Sequence, residues 1–223
     1  MDKRLIVALD VFDGKLALEI TSMLKEIIFA VKINWPLILG AGPGIIRDLS
    51  RYSRVICDLK VADIPNTNAL ITGKVAEVGA YGIISHVFTG TDSLRAVRDA
   101  GRNLKLLAVV SMSHPGGSQY INRVHSDLLK SAISAGADGV IAPGNDETLL
   151  SQIRETGADL VIVSPGIGAQ GGSAARAIMA GADYVIVGRS IYESSDPATA
   201  ASGITRQIHE GIASRSTGMN TLS

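Results

Sequence analysis

Eight short apolar runs recur along the chain with helix-like segments between them, and this alternation limits the fold more than any other feature. The runs cover 5–8, 29–33, 54–59, 82–85, 104–110, 139–142, 160–163 and 184–187. Most are continuously hydrophobic rather than alternating, as parallel strands covered on both faces are. Between them, Leu16, Ile20, Met23, Leu24 and Ile27 predict one apolar helix face, with Asp13 as its N-cap. Leu149, Leu150 and Ile153 predict another. Ile204, Ile208 and Ile212 predict the last, after an Asp196-Pro197 start.

A short phrase marks the helix-to-strand junctions: Gly79-Ala80-Tyr81, Gly136-Ala137-Asp138, Gly157-Ala158-Asp159 and Gly181-Ala182-Asp183. Each glycine is suited to the left-handed conformation that ends a helix. Eight such units predict an α/β fold, a single-domain (β/α)8 barrel over residues 1–213, with 214–223 a fraying tail. An open doubly wound sheet is the alternative. It lacks a G-x-G-x-x-G after the first strand and would gather polar groups at one crevice, not at nearly every strand end.

Lysine plus arginine equals aspartate plus glutamate, so no whole-protein basic field exists for nucleic acid. Cys57 is the only cysteine, which excludes an intrachain disulfide and a cysteine-rich zinc site. No apolar run approaches the roughly 20 residues of a membrane helix, and the first strand begins too early for a signal peptide. The expectation is a cytoplasmic protein with no membrane or nucleic-acid partner.

Active sites of such barrels lie at the C-terminal strand ends. The first strand delivers Asp10 there, the second Lys32, and the third Asp58, Lys60 and, past its end, Asp63. Asp58 and Lys60 are two apart, so both side chains are expected on one face. The loop can carry Asp63 across the mouth or out of it; together these residues predict an alternating row of two cations and at least two anions, each holding its neighbour ionised. A lysine held as an ammonium is a proton donor rather than a Schiff-base nucleophile. The bland alternative is a structural ion-pair network at a barrel rim. The seventh strand is followed by Pro165-Gly166-Ile167-Gly168-Ala169-Gln170-Gly171-Gly172 and the eighth by Gly188-Arg189. Glycine backbone and a guanidinium between these two loops predict a phosphate grip, with Gln170 on a closing lid. His86 and Trp35 stay open between site and packing roles; Cys57 reads as core.

Asp58-x-Lys60-x-x-Asp63 followed by Ile64-Pro65-x-Thr67 resembles the signature of the orotidine 5′-phosphate decarboxylase family, in its short archaeal form. The likeness extends to Leu9-Asp10, Val31-Lys32-Ile33, the 112–116 segment Met-Ser-His-Pro-Gly, Ser164 through Gly172, and Val187-Gly188-Arg189-Ser190. The resemblance implies removal of CO2 from a pyrimidine nucleotide without metal or cofactor. It implies Lys60 as the acid that protonates the ring carbon C6, and Asp58 beside the departing carboxyl group. Asp10 and Lys32 would contact the ribose, and Ser113 the pyrimidine amide edge. Gln170 and Arg189, with backbone from Pro165 to Gly172 and Gly188, would bind phosphate. Asp63 and Thr67, next to the substrate-binding Ile64, would reach into a partner's site, making a homodimer.

The rival within the same superfamily is a magnesium-dependent sugar-phosphate decarboxylase or aldolase. Such relatives carry a second-strand carboxylate where this chain has Lys32, and an ammonium beside a divalent cation is repelled. A non-catalytic phosphate-ligand sensor would need the grip but not the charged row.

Overall fold

A computed structural model describes residues 2–157 and 159–220, the last four by backbone alone. Among them, eight parallel strands close into a barrel in simple sequential order, each hydrogen-bonded to the next and the eighth to the first. They are β1 (Leu5–Leu9), β2 (Ala30–Ile33), β3 (Arg54–Val61), β4 (Gly82–His86), β5 (Lys105–Val109), β6 (Gly139–Ile141), β7 (Val161–Ser164) and β8 (Tyr184–Val187). The closed order excludes the doubly wound alternative.

Strand periodicity divides the apolar residues into two sets. Ile6, Ala8, Ala30, Ile56, Ile84, Leu107, Val109, Ile141, Val163 and Ile186 point inward and fill the barrel. Leu5, Val7, Leu9, Val31, Cys57, Ile83, Leu106, Val140, Ile162 and Val185 point outward beneath the helices. Burial on both faces explains why the runs are continuous rather than alternating.

Helix Gly14–Leu24 starts as expected: the Asp13 carboxylate accepts from the backbone N–H groups of Lys15 and Leu16 at 2.8 and 3.4 Å. Its buried face differs from the expected one. Ala17, Ile20, Thr21 and Leu24 are buried, whereas Leu16 and Met23 are exposed. A small residue and a threonine whose hydroxyl donates to the Ala17 carbonyl let the helix sit close to the barrel. The last helix, Pro197–Asn220, begins beside Asp196, whose carboxylate accepts from Thr199 N–H at 3.0 Å. It continues past residue 213, so the expected tail is helical as far as Asn220; residues 221–223 lie outside the described residues.

Gly79, Gly136 and Gly181 have positive φ, as the repeated phrase predicts; Gly157 does not, its φ being −106°. The aspartates of the phrase have a use the sequence reading missed. Asp138 accepts from the backbone N–H of Leu106 at 2.9 Å, and binds Arg98 and Lys105 at 2.6 and 2.9 Å. Asp183 repeats the pattern, accepting from Ile162 N–H at 2.8 Å and pairing with Arg154. Each carboxylate thus staples the start of one strand to the start of its neighbour at the N-terminal mouth. Burial pushes the Asp138 carboxyl pKa up. The Lys105 ammonium, the Leu106 N–H and Arg98 outweigh that and hold it below the ordinary aspartate value.

Asp138→Ala is expected to destabilise the barrel by about 1–3 kcal/mol, because Leu106 N–H and Arg98 lose their shared acceptor. Tm should fall by roughly 2–4 °C per kcal/mol for a chain of this size. An unchanged melting curve would contradict the staple.

Candidate active site

Counting two residues beyond each inward apolar residue gives the top layer of the barrel. Ala8 leads to Asp10, Ala30 to Lys32, Ile56 to Asp58, Ile84 to His86, Val109 to Ser111, Val163 to Pro165 and Ile186 to Gly188. The alternation that fills the core with aliphatic groups therefore changes chemistry at the C-terminal mouth, where chain leaves the ladder. A cavity of about 220 Å³ opens there, floored by Ala8, Ile84, Val109, Ile141 and Ile186. Asp10, Lys32, Asp58, Lys60, Ser111, Ser113, Gln170 and Arg189 are among its walls.

The charged row is continuous. Asp10 Oδ1 lies 3.5 Å from the Lys32 ammonium, which lies 2.9 Å from Asp58 Oδ2, and Asp58 Oδ1 accepts from the Lys60 ammonium. Lys32 and Asp58 are both buried, at 8% side-chain exposure. Burial drives the Lys32 pKa down, yet Asp58 and Asp10 outweigh it and the net shift is upward. Burial drives the Asp58 pKa up, yet Lys32 and Lys60 outweigh it and the net shift is downward. Both groups stay charged at neutral pH. Removing Asp58 would leave the buried Lys32 ammonium with Asp10 alone at 3.5 Å, and removing Lys32 would leave the buried Asp58 carboxylate with Lys60 alone. Either loss therefore costs less than the about 3–5 kcal/mol of a fully unpaired buried charge. Asn34, just past β2, donates its amide to Asp10 Oδ1 at 2.8 Å and orients the outer end of the row.

Lys60 does not reach Asp58 by plain strand alternation. β3 pairs regularly with β4 up to Cys57, and its register then shifts before Val61. Lys60 has φ +49°, the only non-glycine with positive φ among the described residues. Such strain costs about 1–3 kcal/mol and persists only where the surroundings impose it. The expectation that Asp58 and Lys60 converge holds; its reason is a bulge rather than a two-residue repeat.

Asp63 is not part of the row. It is exposed, its carboxylate accepts from the Ile64 N–H at 2.7 Å, and it does not line the cavity. Buried Asn68 fixes this corner, accepting from Asp63 N–H and donating to the Asp63 carbonyl at 3.0 Å each. Thr67 is half-buried and also away from the cavity. Neither Asn68 nor Asn34 was marked as a site residue by the sequence, because amides in a helix or turn carry no signature of their own.

The 165–172 loop is folded on itself. Gly166, Gly168 and Gly171 have positive φ, and the N–H groups of Gly168, Gly171 and Gly172 donate to the carbonyls of Gly172, Gly168 and Gly166. A side chain on Gly172 would meet the Gly166 carbonyl at 2.5 Å. Three of the glycines expected to grip an anion thus shape the loop in this conformation. Pro165, Gly166, Ile167, Ala169 and Gln170 reach the cavity, facing Gly188 and the exposed Arg189 across it. Among the described residues Arg189 makes no ion pair.

Two buried polar groups in the top layer lack partners among the described residues, Ser111 Oγ and His86 Nδ1. Burial, with Lys60 adding and Asp58 opposing, pulls the His86 pKa to about 4. Its imidazole is therefore neutral at pH 7, and it meets the Phe88 ring at 4.8 Å between centroids with the planes tilted by 47°. Cys57 is buried in β3 with its thiol pushed up to about 12, mainly by burial, which makes it core as expected. Trp35 lies outside the cavity and donates its indole N–H to the Leu59 carbonyl at 3.0 Å. No group of three His, Cys, Asp or Glu side chains among the described residues is disposed to hold a metal ion.

Residues 3–204 match the model of the family described as orotidine 5′-phosphate decarboxylase / HUMPS. The orotidine 5′-phosphate decarboxylase of Thermoplasma acidophilum is 52% identical over 211 residues, covering 95% of this chain and 98% of that protein. Its counterpart from Thermococcus kodakarensis is 49% identical over 216 residues, covering 95% and 99%. Among solved structures, the orotidine 5′-monophosphate decarboxylase of Methanocaldococcus jannaschii complexed with the inhibitor BMP superposes with a TM-score of 0.89 at 37% identity. That match covers 93% of this chain and 99% of the other. The Pyrococcus horikoshii enzyme superposes with a TM-score of 0.86 at 45% identity, covering 92% and 99%.

The His86 environment predicts an acid limb in stability. An unfolded histidine takes up its proton near pH 6.5, the folded one only near 4, so the unfolded state binds more protons between these values. Stability should be full above pH 6.5 and fall as pH drops toward 4, by at most about 1.4 kcal/mol per pH unit. The lowered pKa values of Asp58 and Asp138 place their losses below the ordinary aspartate value, outside this window. Melting curves of His86→Asn should show a flatter dependence between pH 6.5 and 4 than the parent; equal slopes would contradict the assignment.

Proposed function

The chain belongs to the orotidine 5′-phosphate decarboxylase / HUMPS family, and from that premise we propose that its buried charge row carries the decarboxylation, with Lys60 as the acid. The protein is a carboxy-lyase of pyrimidine biosynthesis, converting orotidine 5′-phosphate to uridine 5′-phosphate and CO2. The observation that carries the mechanistic reading is the sequence Asp10–Lys32–Asp58–Lys60 facing one cavity at the C-terminal mouth.

Breaking the bond from C6 to the carboxyl group leaves an electron pair on C6 in the ring plane, where the π-system cannot spread it. A fixed ammonium stabilises that charge electrostatically and needs no reorganisation as it develops. Lys60 then gives its proton to C6, becomes an amine and is reprotonated from water. Asp58 holds the Lys60 ammonium at one oxygen and the Lys32 ammonium at the other, so the donor is aimed before substrate arrives. In this reading Asp58 lies beside the departing carboxyl group, and CO2 leaves from a pocket already carrying negative charge. Asp10 and Lys32 contact the ribose hydroxyls, and Ser113 reads the pyrimidine edge.

The phosphate is held by Arg189 and Gln170 with the backbone of Pro165 through Gly172 and Gly188. A guanidinium that faces the loop across the cavity and has no ion pair among the described residues supports this. Binding energy from the phosphate, far from the reacting carbon, is available to close the loop and position the base.

The assembly in this proposal is a homodimer in which Asp63 and Thr67 enter the partner's site beside Ile64. Asp63 standing outside its own row supports it, as do the neighbouring exposed side chains Ile64 (64%) and Leu70 (68%). No helix among the described residues is long and apolar enough to cross a membrane. A cytoplasmic location fits a neutral chain whose lone cysteine is buried.

The test is incubation with orotidine 5′-phosphate in excess chelator, following loss of the substrate's ultraviolet absorbance. Turnover should persist with chelator, because Lys32 puts an ammonium where a magnesium-dependent relative needs a carboxylate. Lys60→Ala should lose on the order of 10²–10⁴-fold or more in kcat, the range for removing a general acid. Chelator-sensitive turnover, or an active Lys60→Ala, would reject the mechanism.

A further inference from the structure

The bulge in β3 is held by two side chains that the reaction itself does not use. Pairing with β2 ends at Ile33 opposite Cys57, and pairing with β4 passes from Cys57 opposite Ile83 directly to Val61 opposite Ser85. Four steps of β3 thus run beside two of β4. The extra length is taken up around Lys60, whose positive φ turns its side chain back toward Asp58. Such a turn disturbs the regular ladder for the carbonyls on either side of it.

Both carbonyls are nevertheless occupied. Leu59 C=O, just before Lys60, accepts from the Trp35 indole N–H at 3.0 Å. Val61 C=O, just after it, accepts from the Ser85 hydroxyl at 2.8 Å. Trp35 opens the helix that follows β2 and Ser85 lies within β4, so one donor reaches the bulge from each side of β3. Ser85 is fully buried, whereas Trp35 is 45% exposed and its ring is not a core element. Pro36 follows Trp35 at the start of helix Trp35–Ala41 and limits the backbone there.

We propose that Trp35 and Ser85 are positioning residues for the decarboxylation: their two hydrogen bonds bracket Lys60 and hold its backbone in the left-handed conformation that aims the ammonium. The inference rests on Lys60 being the acid. It gives Trp35, whose role the sequence left open, a task through the backbone of its neighbour rather than through substrate.

Trp35→Phe keeps an aromatic side chain, though a smaller one, and removes the N–H; Ser85→Ala removes the hydroxyl with almost no change in volume. For each, kcat, KM, the Kd for uridine 5′-phosphate and Tm are to be measured beside Lys60→Ala. A misaimed acid lowers kcat by about 10-fold, short of the roughly 10²-fold that an ångström of misplacement can cost. KM and uridylate affinity, set by groups elsewhere in the cavity, should stay within about 2-fold. Parent-like kcat in both variants, with Lys60→Ala inactive, overturns the positioning role alone. Parallel losses of kcat, uridylate affinity and Tm overturn it too, since they mark general loosening. An active Lys60→Ala overturns the catalytic reading beneath it.

Discussion

One carboxylate, Asp58, is shared between two ammonium groups, and the rest of the site is arranged around that sharing. A buried carboxylate alone is unfavourable by several kcal/mol, as is a buried lysine. Here each makes the other tolerable. Lys32 occupies one oxygen of Asp58 and Lys60 the other, and Asp10 closes the series at the solvent rim. The row is most buried at its centre and more open at both ends, Asp10 and Lys60. Its exposed ends are the points at which a ligand can meet charge without first having to break the central pair.

Barrel architecture supplies the frame for this at little extra complexity. The interior is a stack of side-chain layers. The lower layers are aliphatic and rigid, and the uppermost is where Asp10, Lys32, Asp58, His86 and Ser111 replace them. The opposite mouth is fastened by the Asp138 and Asp183 staples. Stability and chemistry are thereby placed at different ends of one barrel, so the strained Lys60 backbone sits on a scaffold secured elsewhere.

Much of this was legible in the residue order because it depends on local rules. Continuous apolar runs gave the eight strands to within two residues, since strands covered on both faces have no polar side to show. The charged row was legible because its members lie at successive strand ends. What was hidden depends on contacts between segments. Leu16 and Met23 look like core by spacing, but Ala17 and Thr21 allow closer packing and take the buried face. The φ of Lys60 leaves no trace in an Asp-x-Lys motif. The glycines at 168, 171 and 172 read as ligand-facing amides, yet in this conformation their N–H groups close the loop on itself. Amide and hydroxyl partners such as Asn34, Asn68 and Ser85 were hidden for the same reason, their roles existing only once strands are side by side.

The central claim is that the Lys60 ammonium faces the ring carbon that loses its carboxyl group while the nucleotide is clamped by its phosphate. A crystal structure with a bound uridylate analogue measures this directly. The account predicts the Lys60 nitrogen in near-attack contact with C6, about 3–3.5 Å away, with Arg189 on the phosphate. A pyrimidine lodged elsewhere, or a Lys60 nitrogen turned away from C6, would contradict it.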